Sequence, residues 1–316
     1  MPEPAPVTMA ARSAKSVQLY DRSPVNVLVL GAGLMGAQIG SEYALGGHSV
    51  ALVARAADSA RSRFEHGLET LRLHGLASAE EVDAARARVQ VTSRLDDVLT
   101  CEVAVESAPE DLELKASLLR PVAEASPDAV LATNTSSLSV SELGERIGAP
   151  ERTVGTHYWN PPLLMPLVEV VAGSRTDPEV VRRTAETLRE LGKRPVLVGD
   201  VPGFAWNRLQ MAVLREAVAL VEHGVASPAI VDEILTHGLA RRWRHIDFFQ
   251  AVALGGVETW QKTAANLLPL ISAATELPEL SRWVQKGDEE LAAVAARRDE
   301  GLARDLLAER SDRDQV

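Results

Sequence analysis

Cysteine is all but absent. Cys101 is the only one in 316 residues, so no internal disulfide framework can form and a reducing, cytoplasmic compartment is expected. Long apolar runs are missing too. The first 22 residues contain no continuous stretch of the secretory-signal kind, and no segment approaches the roughly 18 apolar residues of a membrane span. No membrane partner is expected, and residues 1–24 read as a flexible tail. Positive charge is in deficit: 33 Lys and Arg against 44 Asp and Glu leave a formal charge of −11. That balance repels phosphate backbones and argues against nucleic acid as a partner. Internal repeats are lacking, and low complexity is confined to Ala/Arg-rich connectors that read as surface helix. What remains, 46% hydrophobic and 24% charged, is the composition of a globular protein long enough for two domains and a sizeable core.

From residue 25, short β-branched runs alternate with helical patterns, as in a parallel sheet covered by helices. The runs are "VNVLVL", "HSVALV", "VQVT", "EVAVE", "AVLAT", "TVGTHYW", "LVEVV" and "PVLVG". Helices are expected near 34–46, 58–74, 112–124 and 178–192. After "GDVPGF" the apolar positions Leu209, Ala212, Val213, Ala217, Leu220 and Val221 recur at helical spacing. The expected fold is therefore α/β: a Rossmann-type doubly wound sheet over 25–199, then an all-helical C-terminal domain over 200–316. Its last helix, about 279–310, reads as a solvated face.

The chemistry begins at "GAGLMG", where a strand enters Gly31-x-Gly33-x-x-Gly36 and a helix leaves. Gly31 permits a tight turn, Gly33 lets backbone approach a pyrophosphate, and Gly36 lets helix and sheet pack closely. The acid that usually holds the adenosine ribose at the end of the second strand is missing: the chain reads Val53-Ala54-Arg55. Arg55 is either a partner for a 2′-phosphate or a solvated loop residue, so NAD and NADP both stand. In "ESAPEDLELK", Glu106, Glu110 and Lys115 either cap a helix start or face a ligand. In "ATNTSSLSVSEL", Asn134, Ser136 and Ser137 carry the same pair of readings at the sheet's carboxyl edge. His157 ends a strand before the turn Asn160-Pro161-Pro162, where open α/β sheets bind ligands. Twelve residues later Glu169 sits in an apolar strand and needs a partner, and His157 is the economical candidate.

Together, "GAGLMG", "ESAPEDLELK", "TNTSSLS", "HYWNPP", "PLVEVV" and "PGFAWNRL" resemble the 3-hydroxyacyl-CoA dehydrogenases and their L-gulonate 3-dehydrogenase/λ-crystallin and carnitine dehydrogenase branches, from about residue 25 to about 260. The resemblance implies an oxidoreductase using NAD or NADP, a small-molecule substrate such as a 3-hydroxyacyl-CoA thioester, and a homodimer. It implies His157 as general base with Glu169 compensating the imidazolium, and Ser136 and Asn207 hydrogen-bonding the reacting oxygen. On the cofactor side it implies Gly31, Gly33 and Gly36 at the pyrophosphate, with Leu34 and Met35 in the same turn. It implies Glu110, Lys115 and Asn160 lining the ribose and nicotinamide side, and Arg55 and Asn134 join the cofactor-binding set on the residue readings above. Two departures accompany it: Ala54 in place of the family's aspartate, and Asp247-Phe248-Phe249 in place of Gly-Pro-Phe. The latter opens the substrate to a free acid of the gulonate or carnitine kind. Trp159 and Trp206 are packing residues or walls for an acyl or aromatic group. Arg61, Arg63 and Arg72 form a solvated face or a cationic mouth. A cofactor-binding protein without catalysis, crystallin-like, is the reading from a different class.

Overall fold

The structure, a computed structural model, describes residues 24–284 and 287–314, with the side chains of 312–314 outside the description. Apart from Pro24, the expected tail lies outside the described residues. In chain order the elements are β1 (Asn26–Leu30), α1 (Leu34–Leu45), β2 (Ser49–Val53), α2 (Ala57–Leu73), α3 (Ala79–Ala87), β3 (Val89–Thr92), β4 (Val103–Glu106), α4 (Leu112–Ala125), β5 (Val130–Thr133), α5 (Val140–Ile147), β6 (Thr153–Tyr158), β7 (Leu167–Ala172), α6 (Pro178–Glu190) and β8 (Arg194–Gly199). All eight expected strands are present. They form one sheet in the order β3-β2-β1-β4-β5-β6-β7-β8.

The sheet explains why β1 is apolar at every position after the first. Val27 and Val29 turn to one face, where α1, α2, α3 and α6 cover them, while Leu28 and Leu30 turn to the other beneath α4 and α5. A strand covered on both faces cannot afford polar alternation. Of the two helices given no range by the pattern, α3 is unexpected and α5 is the helix that "ATNTSSLSVSEL" is read as entering; both have clear local causes. Ser78 and Glu81 form a capping box at the start of α3, and Ser139 caps α5 by accepting the Glu142 amide.

Two features differ from the reading of a parallel sheet with a solvated last helix. β7 runs antiparallel to β6, and β8 follows β7 in parallel. Residues 159–166 are too few for a covered crossover, which needs a dozen or more, so the chain folds back directly. That return is anchored from below: Lys193 donates to the carbonyls of Pro162 (2.7 Å) and Met165 (3.1 Å) and pairs with buried Glu42 at 2.7 Å.

By compactness the chain divides into the described parts of Met1–Phe204 and Ala293–Val316 as one unit, and Ala205–Ala292 as the other. The second unit holds α7 (Trp206–Glu222), α8 (Pro228–Glu233), a π-helical stretch Ile234–Ala240, α9 (Arg241–Trp243), α10 (Phe248–Gly255), α11 (Val257–Leu267) and α12 (Ser281–Val284). The last helix, α13 (Asp288–Asp314), is counted in the first unit from Ala293 on. It is not simply solvated. Ala303 is buried in a cluster with Leu71, Leu76, Leu163 and Leu164, and Arg310 donates to the Leu76 carbonyl at 2.9 Å. A boundary read from sequence position, which gave everything beyond 199 to the helical domain, therefore differs from one read from contacts. No described helix is long and apolar enough to cross a membrane.

Candidate active site

Strand order turns back between β1 and β4: β2 and β3 lie on one side of β1, β4 and β5 on the other. At such a point the loops leaving the carboxyl ends diverge and leave a crevice. Here it is a cleft of about 870 Å³.

Its floor is the glycine turn. Gly31 has φ +95°, and a Cβ there would lie 2.8 Å from backbone atoms of Ser107 and Ala108. At Gly36 a Cβ would lie 2.1 Å from the Gly31 carbonyl oxygen. Both glycines are demanded by packing within the protein. Gly33 is not: a Cβ there meets nothing within 4 Å. As N-cap of α1 it supplies no side-chain acceptor, so the first amides of the helix are left for an anion in the cleft. The residues thus fit a dinucleotide pyrophosphate.

Two carboxylates hold the wall together, Glu106 buried and Glu110 exposed. Glu106, at the end of β4 and fully buried, accepts from Lys115 Nζ (2.9 and 3.0 Å) and Thr133 Oγ1 (2.6 Å), tying β4, β5 and α4 together. Burial pushes its carboxyl above the usual range even though Lys115 pulls the other way. Glu110 Oε1 accepts from Thr135 Oγ1 (2.6 Å), the Ser136 and Ser137 amides (2.8 Å each) and Ser137 Oγ (3.0 Å). Burial works to raise its carboxyl as well, but these hydrogen bonds and Lys115 outweigh it and hold the group below the ordinary value. Its ionised form therefore fixes the Thr135–Ser137 loop, with exposed Ser136 at the cleft. Asn134 joins three strand ends, donating from Nδ2 to Ser107 Oγ (3.3 Å) and accepting the Tyr158 amide at Oδ1 (2.8 Å).

Next to Tyr158 stands His157. The antiparallel register sets His157 directly opposite Glu169, and Nδ1 lies 2.7 Å from Oε2. Both residues are buried, at 4% and 1% exposure. A carboxylate here is tolerable because the imidazole meets it. Phe204 adds a contact the sequence reading did not single out: fully buried, it packs its ring 5.6 Å from that of His157. Its φ of +47° is strained for a side-chain-bearing residue. Asp200 holds this segment in place, accepting from the Ser139 and Ser141 hydroxyls and the Val140 and Ser141 amides. Burial tends to raise the Asp200 carboxyl, yet those four bonds keep it below its ordinary 3.8. The only sequence signal was "GDVPGF", taken simply as the change of pattern.

The structure thus gathers Gly31, Gly33, Leu34, Met35, Arg55, Glu110, Asn134 and Ser136 around one cleft. Lys115, expected to line the ribose and nicotinamide side, is instead buried at 1% exposure between Glu106 and Glu110, because two carboxylates there require a cation. Asn160 is exposed and does not line the cleft. Asn207 is the second residue of α7, in the second unit. Among Arg61, Arg63 and Arg72, Arg63 faces the cleft and Arg72 pairs with Glu69 on its own helix.

Comparison with known proteins agrees with this geometry. Residues 26–201 match the family model "3-hydroxyacyl-CoA dehydrogenase, NAD binding domain", and residues 203–288 match "3-hydroxyacyl-CoA dehydrogenase, C-terminal domain". A probable 3-hydroxybutyryl-CoA dehydrogenase of Deinococcus radiodurans is 35% identical over 67% of this chain and 77% of its own. An L-carnitine dehydrogenase of Pseudomonas putida is 33% identical over 80% of this chain and 83% of its own. The crystal structure of 5-formyl-3-hydroxy-2-methylpyridine 4-carboxylic acid 5-dehydrogenase, described as an NAD+ dependent dismutase, superposes with a TM-score of 0.80 at 28% identity. It covers 89% of this chain and 97% of that one. On a glycine turn, a cleft at the switch point and a two-domain match in the same order, the chain belongs to the 3-hydroxyacyl-CoA dehydrogenase family and is a nicotinamide-dependent oxidoreductase.

Proposed function

We propose that the enzyme interconverts a 3-hydroxyacyl and a 3-oxoacyl group on a CoA thioester, with His157 as its general base. The supporting observation is the 2.7 Å contact of His157 Nδ1 with Glu169 Oε2 at the carboxyl end of β6. With Nδ1 donating its proton to the carboxylate, Nε2 is left as an acceptor. When bound in the cleft, the nicotinamide supplies the hydride acceptor or donor. His157 Nε2 takes the hydroxyl proton as the carbonyl forms and returns it in the reverse direction. Glu169 faces the positive charge that then arises on a ring removed from water, where an unpaired imidazolium would be costly. Ser136 offers its hydroxyl to the oxygen on which charge develops, from a loop pinned by Glu110.

The test is an absorbance matrix of NADH and NADPH against acetoacetyl-CoA, longer 3-oxoacyl thioesters and the corresponding free acids. Turnover of thioesters well above that of free acids is expected. Equal or faster turnover of the acids refutes the thioester assignment, and no turnover of either favours a cofactor-binding protein without catalysis.

A second reading, a dehydrogenase of a free carboxylic acid, is favoured by the likeness to the pyridine-carboxylate enzyme over 89% of this chain. In the second unit, where the resemblance led to Gly-Pro-Phe, Phe248 instead packs against Trp243, Phe249 and Trp260 with ring centroids 5.7 to 6.3 Å apart. A homodimer is proposed as well. Among the described residues of the second unit Val218 and Val231 are the buried hydrophobics, whereas Leu209, Phe249, Leu254 and Leu270 are 68%, 83%, 81% and 80% exposed. An apolar surface of that kind is covered by a second copy in a symmetric oligomer. A cytoplasmic setting suits the single buried Cys101, whose thiol burial pushes up to about 11.

A further inference from the structure

We propose that the cleft selects the 2′-phosphorylated dinucleotide, NADP(H), over NAD(H), with Arg55 and Arg63 as the residues that set the preference. The proposal rests on the dinucleotide assignment above and concerns the adenosine end of the same cleft.

A Rossmann site that prefers NAD places a carboxylate at the end of β2, where it accepts from both ribose hydroxyls and repels a phosphate. Here β2 ends at Val53, and Ala54, Arg55 and Ala56 line the cleft in the space that follows. Ala54 offers neither acceptor nor charge. Arg63, farther along α2, lines the same cleft, as does Ser93 just beyond β3. Arg55 and Arg63 are both exposed and form no ion pair or hydrogen bond with another described residue. Their contrast with Arg72, Arg86 and Arg182, each held by carboxylates of its own surroundings, is informative.

The cleft's one acidic lining residue is Glu110, which is committed to the Thr135–Ser137 loop. Asp58, the acid nearest to Arg55 in sequence, is exposed in the first turn of α2 and does not line the cleft. On a chain with a net charge of −11, two unpaired guanidiniums and no carboxylate at this end are a local exception. A guanidinium meets phosphate oxygens through two parallel N–H donors, whereas the 2′-hydroxyl of NAD would leave both cations with water alone.

The experiment is fluorescence titration of the full-length protein with NADPH and with NADH, at low and high salt, on the parent and on three variants. NADPH is expected to bind about tenfold or more tighter than NADH, with that advantage shrinking as salt is raised. Arg55→Gln and Arg63→Gln each reduce NADPH affinity several-fold and leave NADH affinity nearly unchanged. Ala54→Asp reverses the preference. Thermal melting of each variant separates loss of fold from loss of affinity, and adenosine 2′,5′-bisphosphate against adenosine 5′-phosphate repeats the comparison without the nicotinamide. NADH binding as tightly as NADPH, or an unchanged ratio in Arg55→Gln, overturns the proposal while leaving the dehydrogenase assignment standing. Failure of both dinucleotides to bind overturns the two together.

Discussion

Replacing Glu169 by glutamine removes one charge and very little volume, and that makes it the sharpest test of the proposed base. As the proposed base, His157 donates its Nδ1 proton to Glu169 across 2.7 Å and keeps Nε2 as the acceptor. Glutamine can still accept there, so dinucleotide binding and folding should persist. The difference arises once the imidazole has taken a proton. Two unit charges about 4 Å apart interact by about 4 kcal/mol at an effective dielectric near 20, a value suited to a buried protein site. With water excluded at 4% and 1% exposure, little else can replace that attraction. Because the imidazolium forms along the reaction and not on binding, its loss falls on kcat. About 4 kcal/mol corresponds to roughly a thousandfold, and partial relaxation of the site makes a hundred- to thousandfold decrease the expected range. The assay is steady-state oxidation of the reduced nicotinamide with the best 3-oxo substrate, alongside equilibrium titration of the dinucleotide and thermal melting. A variant within about threefold of the parent kcat refutes the compensating role of Glu169. So does a comparable loss of dinucleotide affinity, since the damage would then be general.

Other substitutions probe the scaffold. Gly36→Ala drives a Cβ to 2.1 Å from the Gly31 carbonyl and should lower the melting temperature sharply, whereas Gly33→Ala, which meets nothing within 4 Å, should melt like the parent yet bind dinucleotide at least about tenfold more weakly. Lys193→Met strands Glu42 as a buried carboxylate and should cost about 3 kcal/mol in urea denaturation, with much of the loss recovered in the Glu42→Gln/Lys193→Met double variant. Asp200→Asn tests the pH dependence. A carboxyl held below its ordinary 3.8 contributes stability that is complete above that pH and is lost as pH falls through its lower folded value. The variant should therefore be less stable at neutral pH and show a shallower acid limb in melting temperature, and an unchanged acid limb contradicts the role assigned to Asp200.

Much of the site was legible because its parts are local. A strand running into Gly31, Gly33 and Gly36 and out into a helix announces an anion-binding turn through backbone geometry alone. The missing acid after Val53 is equally local. So is the oddity of Glu169 in an apolar strand, which already pointed to His157 as its partner. Less was legible in "ESAPEDLELK", where capping and ligand contact predict the same residue types. The structure separates them: Glu110 fastens the Thr135–Ser137 loop, and Lys115 serves Glu106 from inside the protein. Neither role leaves a periodicity to detect.

Sequence by itself determined the eight strands, the glycine turn and the lack of an acid directly after Val53, since each depends on residues adjacent in the chain. Tertiary structure decided the direction of β7, the register that sets His157 against Glu169, the packing of Phe204 on that imidazole, and the docking of α13 around Ala303. Those choices are made by contacts between distant segments competing for the same buried space, and no single stretch carries the partner that wins.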